Sequence, residues 1–264
     1  MKKILLAVAC CAMTLLAQAN PAHKVKINDG LTVSVEACSE SIFRIKVSPR
    51  KDFSESLMER YELIKTDWSE VNTSVSDKGG VWTLKTPEYS LAINKKSGVM
   101  TVKDAKGGSV IREVRFLPEK ESLCSEMRSF INEKYADLKV ADNGGGIIGD
   151  DNGKFGEVDK HEIPNADAVS ILSISMENGE RFYGGGSTSR DHIQHRGEFL
   201  RMWTTYQQTE IPMPFMMSSR GWGVYNNSTR KSFFDIGNRQ KTKFNIINTF
   251  DEADFYLMMG KDMP

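Results

Sequence analysis

Tyr89-Ser90-Leu91-Ala92-Ile93-Asn94-Lys95-Lys96-Ser97-Gly98-Val99-Met100-Thr101-Val102-Lys103 decides the fold class. Apolar Tyr89, Leu91 and Ile93 alternate with Ser90 and Ala92, a period of two that suits a strand and not a helix. Asn94 to Gly98 then supplies turn residues, and Val99 to Lys103 returns with the same alternation, so the segment reads as a β-hairpin. The period continues outward on both sides. Leu31, Val33, Val35 and Ala37 alternate with Thr32, Ser34 and Glu36, and Phe43, Ile45 and Val47 with Arg44 and Lys46. Each reads as a strand with one buried and one wet face. Val81 to Leu84 precedes the hairpin and is split from it by Pro87; Ser109 to Leu117 follows. After the middle of the chain, further strands are expected at Ala168 to Met176, Glu198 to Trp203, Pro214 to Ser218, Trp222 to Tyr225, Ser232 to Ile236, Lys243 to Thr249 and Asp254 to Met259. About a dozen strands, with turns recurring every 8–12 residues or so, predict an all-β chain forming one large antiparallel β-sandwich.

One stretch breaks the pattern, from about 118 to 167. Glu119 to Val140 is charged and can hold one helix, with Leu123, Met127, Phe130, Ile131 and Leu138 as an apolar stripe. Gly144-Gly145-Gly146, Gly149, Gly153 and Gly156 then sit among Asp and Asn, and no Gly-Lys-Ser/Thr follows to make a phosphate loop. The stretch is expected to be a long, mostly irregular, solvated insertion.

At the start, Lys2 and Lys3 precede an apolar run from Ile4 to Leu16, and Ala17-Gln18-Ala19 offers small residues for cleavage. Residues 1–19 therefore read as a secretory signal peptide, too short to be a membrane span. Cleavage leaves roughly 245 of the 264 residues, enough to bury a sizeable core. The chain carries 35 basic and 35 acidic residues. Losing Lys2 and Lys3 makes the net charge about −2, which argues against a nucleic-acid partner. Cys38 and Cys124 remain after cleavage; an exported setting permits them to pair but their spacing does not decide it.

Few residues announce chemistry. Asp191, His192 and His195 lack a convincing third ligand, so no metal is expected. No cofactor is expected either. Ser187 and Ser189 lie near Gly-rich turns, but there is no Gly-x-Ser-x-Gly elbow. Asp191, Glu198, Glu210, Asp235, Asp251, Glu252 and Asp254 crowd the second half, yet spacing in an all-β chain does not establish whether two of them reach catalytic separation. No catalytic residue is named. Aromatics are denser than elsewhere from Tyr183 to Tyr225, with Gln207, Gln208, Asn226 and Asn227 among them, as sugar binding requires. Core packing accounts for most of Phe199, Trp203, Phe215 and Trp222.

From Arg181 the order of motifs resembles a known family. Arg181-Phe182-Tyr183-Gly184-Gly185-Gly186 is followed by His195-Arg196-Gly197, Arg201-Met202-Trp203, Ile211-Pro212-Met213-Pro214-Phe215, Gly221-Trp222-Gly223-Val224-Tyr225, Asp254-Phe255-Tyr256 and Gly260-Lys261. The series, together with the Leu91 to Val102 hairpin, resembles the N-terminal galactose-mutarotase-like sandwich of glycoside hydrolase family 31, which includes α-glucosidases, α-xylosidases and sulfoquinovosidase-like enzymes. With the leader at 1–19 set aside, the resemblance implies the sandwich at 20–260, with the insertion at about 118–167, and, at 261–264, the start of a connection to a (β/α)8 barrel. That barrel would hold the nucleophile and the acid/base; its Trp-x-Asp-Met motif does not occur in this sequence. The resemblance further implies that a sandwich loop borders the sugar. Here the loop is Trp203-Thr204-Thr205-Tyr206-Gln207-Gln208, without the Asp that many members place after the Trp. Trp203, Thr204, Gln207 and Gln208 are thus the expected substrate-facing residues.

The resulting expectation is a non-catalytic domain of an α-glycoside hydrolase, periplasmic or extracellular, inactive alone. Its partners would be an α-linked glycoside and a barrel in cis or in trans. A stand-alone carbohydrate-binding module is the alternative. An aldose mutarotase-like epimerase using His161, His192 or His195 is a further one.

Overall fold

The computed structural model describes residues 20–27, 30–134, 169–187, 192–203 and 211–260. They form a sandwich of two antiparallel sheets. In chain order the strands are β1 (His23–Lys26), β2 (Thr32–Ser39), β3 (Ile42–Ser48), β4 (Ser74–Lys78), β5 (Val81–Lys85), β6 (Tyr89–Asn94), β7 (Met100–Asp104) and β8 (Ser109–Leu117). The second half adds β9 (Ser170–Ser175), β10 (Phe182–Ser187), β11 (Phe199–Met202), β12 (Ile211–Ser218), β13 (Trp222–Asn226), β14 (Ser232–Ile236), β15 (Lys243–Asn248) and β16 (Ala253–Met259). Helices α1 (Leu57–Arg60) and α2 (Ser122–Lys134) complete the described elements. One sheet has seven strands in the order β1-β2-β3-β16-β13-β12-β10, the other nine in the order β11-β14-β15-β9-β8-β7-β6-β5-β4.

The hairpin forms as its sequence dictates. Leu91 pairs with Val102 and Ile93 with Met100, all four side chains facing the core. At the turn Asn94 Oδ1 accepts from Lys96 N and Ser97 N, each at 3.0 Å, and Gly98 adopts φ +69°. A side chain disfavours that conformation, so glycine ends the turn. Between the sheets, Phe182 meets Trp222 at 5.7 Å and Phe244 at 5.6 Å, and Phe244 meets Phe234 at 5.4 Å, all edge to face. Because Phe182 and Phe244 belong to opposite sheets, this aromatic chain ties the two layers together.

Two expectations change, and one question that spacing left open is answered. The helix expected within Glu119 to Val140 forms as α2, but it is not solvated: its Cys124 and Met127 are fully buried against Leu117, Ile171, Phe233 and Ile247 on the outer face of the nine-stranded sheet. Residues 135–168, which include Leu138 and the glycine-rich run, lie outside the described residues. The wet face expected of β2 and β3 is also covered, since Thr32, Ser34 and Arg44 are all buried. For Arg44 the cause is α1, which brings Glu59 over the sheet to share the guanidinium with Asp254. Finally, Cys38 on β2 and Cys124 on α2 are both free and buried, on different layers. Burial pushes both thiols up to about 12, far from the reactive thiolate range.

Candidate functional site

Strand pairing places the candidate site at one end of the sandwich. Met202 is paired with Ser232, so the residues just beyond, Trp203 and Lys231, become neighbours. Lys231 Nζ stands over the Trp203 ring at 6.0 Å, and the residue remains 38% exposed. Trp203 is therefore not core, contrary to the packing expectation. It marks the point where β11 leaves the sheet. Thr204, Gln207 and Gln208 lie outside the described residues, as do Tyr206 and Glu210.

Beneath this end the two sheets are joined by buried polar groups. Asn226 Nδ2 donates to Asn248 Oδ1 at 3.1 Å and to Ser232 Oγ at 3.4 Å. Thr249 Oγ1 donates to the Lys231 carbonyl at 2.9 Å, and the Arg230 guanidinium lies over Phe250 at 4.9 Å. Such a network fixes the 227–231 loop, and with it the platform beside Trp203.

The other aromatics separate by role. Trp222 fills the core as expected. Phe199 does not lie between the sheets. It packs under α2, against Phe130 at 4.9 Å and Phe233 at 5.7 Å. Phe215 is half-buried on the outer face of β12, with its ring so close over Gly223 that a Cβ there would sit 3.1 Å from Cε2.

The carboxylates are each held by internal partners. Asp254 receives Arg44 Nε and Nη2 at 3.0 and 2.6 Å. Arg50 pairs with Asp251 at 2.6 Å and with Glu252. Burial opposes ionisation of Glu252, but donors from Ser54, Ser48 and Arg50 outweigh it and hold its carboxyl below the usual range. Asp235 is fully buried, and that burial raises its pKa against the backbone N–H groups of Asn238 and Arg239. Glu198 contacts His195 Nδ1 at 2.8 Å. Asp191 falls outside the described residues, and His192 is exposed. The buried His195 already has both nitrogens engaged, by Glu198 and by the Gly184 carbonyl at 3.1 Å. This ring pins the glycine-rich strand and offers no nitrogen to a metal. Among the described residues no three His, Cys, Asp or Glu groups cluster for a metal ion.

Sequence reasoning gave no role to Glu180, which closes the turn between β9 and β10. Glu180 is 2% exposed and accepts from Trp222 Nε1 at 2.8 Å, Glu177 N at 2.6 Å and Ser218 Oγ. The signal was available in principle: a buried tryptophan needs an acceptor for its indole N–H.

Comparison with known proteins agrees with this architecture. The sequence model described as the glycosyl hydrolase 31 N-terminal galactose mutarotase-like domain matches residues 32–235. An α-xylosidase of Emericella nidulans is 20% identical over 122 residues, covering 44% of this chain and 16% of its own length. A Flavobacterium johnsoniae GH31 dextranase, solved with isomaltotriose, superposes with a TM-score of 0.61 at 17% identity, over 94% of this chain and 27% of that one. A GH31 α-xylosidase from a soil metagenome, solved with xylose, gives 0.61 at 13% identity, over 92% and 32%. At those identities the solved structures speak for the fold. The chain spans under a third of their length in the dextranase and the metagenomic enzyme.

Proposed function

Since the chain belongs to the glycosyl hydrolase 31 N-terminal galactose mutarotase-like domain family, we propose that it is the non-catalytic, sugar-bordering sandwich of an exported α-glycoside hydrolase. A (β/α)8 barrel, in cis or in trans, would supply the nucleophile and acid/base of a retaining mechanism. The sandwich would hold the barrel in place and present the Trp203 loop to the substrate, with Trp203 offering a flat face and Thr204, Gln207 and Gln208 hydrogen bonds. Export would follow from the leader at residues 1–19, which places the protein in the periplasm or outside the cell. Among the described residues no helix is long and apolar enough to cross a membrane.

The observation that carries this reading is the exposed Trp203 at the end of β11, within a chain whose family match runs across 32–235. The internal pairing of Asp251, Glu252 and Asp254 favours a non-catalytic role. Engagement of both His195 nitrogens weighs against an epimerase that uses this ring. A stand-alone carbohydrate-binding module is the second reading, favoured by the same exposed residue. The test is hydrolysis of aryl α-glucosides and α-xylosides by the purified chain. No turnover is expected, and turnover that survives further purification would overturn the non-catalytic assignment.

A further inference from the structure

A sheet face turned to water normally carries polar side chains, and half of the seven-stranded sheet departs from that rule. Backbone pairing sets Tyr183, Met217, Gly223, Met258 and Ile42 side by side on the face away from the core, one each from β10, β12, β13, β16 and β3. The row holds no charge. The next row runs Phe215, Tyr225, Tyr256 and meets its first charge at Arg44, where α1 covers the sheet. Phe215 lies across Gly223, so its ring fills the space left by the absent side chain. Beyond Phe215, β12 continues the apolar series with Met213 and Ile211. Ile211, Met213 and Met217 are 70%, 54% and 37% exposed. Of the described helices, α1 sits at the Arg44 end and α2 on the other sheet, so neither covers this series.

Both ends of the patch lead somewhere. At one end Gly260 N donates to the Gly221 carbonyl at 2.8 Å, so the chain leaves β16 just past Met258. At the other end Ile211 follows directly on the loop that starts at Trp203 and holds Gln207 and Gln208. Five strands about 4.8 Å apart, and the run Ile211 to Met217 at about 3.3 Å per residue, give a patch of roughly 20 by 20 Å. Two copies of the chain face to face would bury on the order of 800 Å2, the range of lattice contacts and short of the roughly 1,200–2,000 Å2 of a stable pair. A larger body that continues past Ile211 onto the Trp203 loop fits better. More than two-thirds of the length of the dextranase and of the metagenomic α-xylosidase lies outside the part that this chain spans, which is ample for such a body.

We propose that the apolar face of β10, β12, β13 and β16 is the seat of the catalytic barrel, which reaches from Gly260 to Ile211 and so meets the Trp203 loop at its own sugar site. The inference rests on the proposed function, in which a barrel supplies the chemistry, and adds where that barrel sits. Its matching surface is apolar, because a charged group pressed on this uncharged face would lose its water and gain no partner.

The test compares cysteine labelling in the 264-residue chain and in the barrel-bearing protein. The latter is the product of the coding sequence read past codon Pro264, or a separate barrel chain from the same genome, co-expressed. Met213→Cys reports the face, from a position exposed enough to be replaced without unpacking the core, and Ser76→Cys on the exposed β4 is the control. Peptide mapping after N-ethylmaleimide treatment distinguishes both from the buried Cys38 and Cys124. In the lone chain both sites should label rapidly. With the barrel present, labelling of Met213→Cys should slow at least about tenfold while Ser76→Cys is unchanged. Equal labelling of Met213→Cys with and without the barrel would overturn the seat and leave the barrel and the sugar-bordering loop standing. Protection already present in the lone chain, with a dimer's mass in sedimentation, would give the face to a second copy and overturn the seat as well. A genome with no barrel in cis or in trans would overturn the proposed function and this inference together.

Discussion

Replacing Arg44 by methionine keeps most of the side chain's length and removes its charge. The guanidinium side chain is 7% exposed and lies between two carboxylates: Nε and Nη2 bind Asp254 at 3.0 and 2.6 Å, and Nη1 binds Glu59 at 2.5 Å. Its plane also rests 5.3 Å from the Tyr256 ring. A surface ion pair is worth about 0–1 kcal/mol. Breaking a buried one costs roughly 3–5 kcal/mol, because the abandoned partner stays buried and charged. Asp254 is that partner here, at 16% side-chain exposure. The expected loss is therefore roughly 3–5 kcal/mol, a factor of about 10² to 10³·⁵ in the folding equilibrium. Urea unfolding at neutral pH measures it directly.

The same substitution has a signature in pH. The hydrogen bond from Arg44, opposed by partial burial, holds the Glu59 carboxyl below its usual value of 4.5. A carboxylate depressed in the folded state adds stability above its unfolded pKa and loses it as the pH falls through the folded one. Wild type should thus lose the Glu59 contribution on acidification from about pH 5 downward, and Arg44→Met should lose less over that range. Asp254→Asn added to Arg44→Met should recover part of the deficit. A loss below about 1 kcal/mol for Arg44→Met, with an unaltered acid slope, would refute the claim that α1 buries a working ion-pair network.

Three further outcomes follow from particular contacts. Gly186→Ala puts a Cβ 2.1 Å from the Ile211 carbonyl oxygen and 2.7 Å from Met213 N, at φ +72°. It should cost at least about 2 kcal/mol, against about 1 kcal/mol for Gly107→Ala, which has a similar φ and open space around it; thermal melts compare the two. Glu180→Leu strands the Trp222 indole N–H and the Glu177 N–H, and should destabilise by about 2–4 kcal/mol in urea, with Glu180→Gln losing less; equal losses would contradict the acceptor role. Cys38 and Cys124 should resist iodoacetamide at pH 8 until urea unfolds the chain, and peptide mapping should find no bridge between them; rapid native labelling would contradict their burial.

The sandwich was legible in the sequence wherever one sheet face meets the core and the other meets water. Leu91, Ile93, Met100 and Val102 carry that contrast, and their register follows from it. β1 and β4 lacked it. Ser74–Lys78 is exposed along its whole length, so no apolar period marks it, and it is defined by its backbone pairing with β5. Buried polar residues misled in the opposite direction. Arg44, Glu180 and Asn227 look like surface residues in the sequence and are buried by partners 210, 42 and 27 positions away. α2 showed its stripe, but nothing in the stripe said that Cys124 and Met127 would cover the outer face of a sheet. Of the candidate site, the strand that carries Trp203 could be read from the pattern, although it ends one residue earlier, at Met202. The exposure of Trp203 could not, because a tryptophan between strands is equally suited to a core.

The central claim is that the Trp203 loop borders the sugar site of a catalytic barrel. Reading the coding sequence beyond codon Pro264 in all three frames, then assaying the longer product on an α-linked substrate, tests it most directly. The account predicts a barrel bearing a Trp-x-Asp-Met motif. It also predicts that Trp203→Ala and Gln207→Ala lower kcat/KM by roughly 10- to 100-fold at unchanged melting temperature. Unrelated sequence after a stop codon, or turnover indifferent to both substitutions, would contradict it.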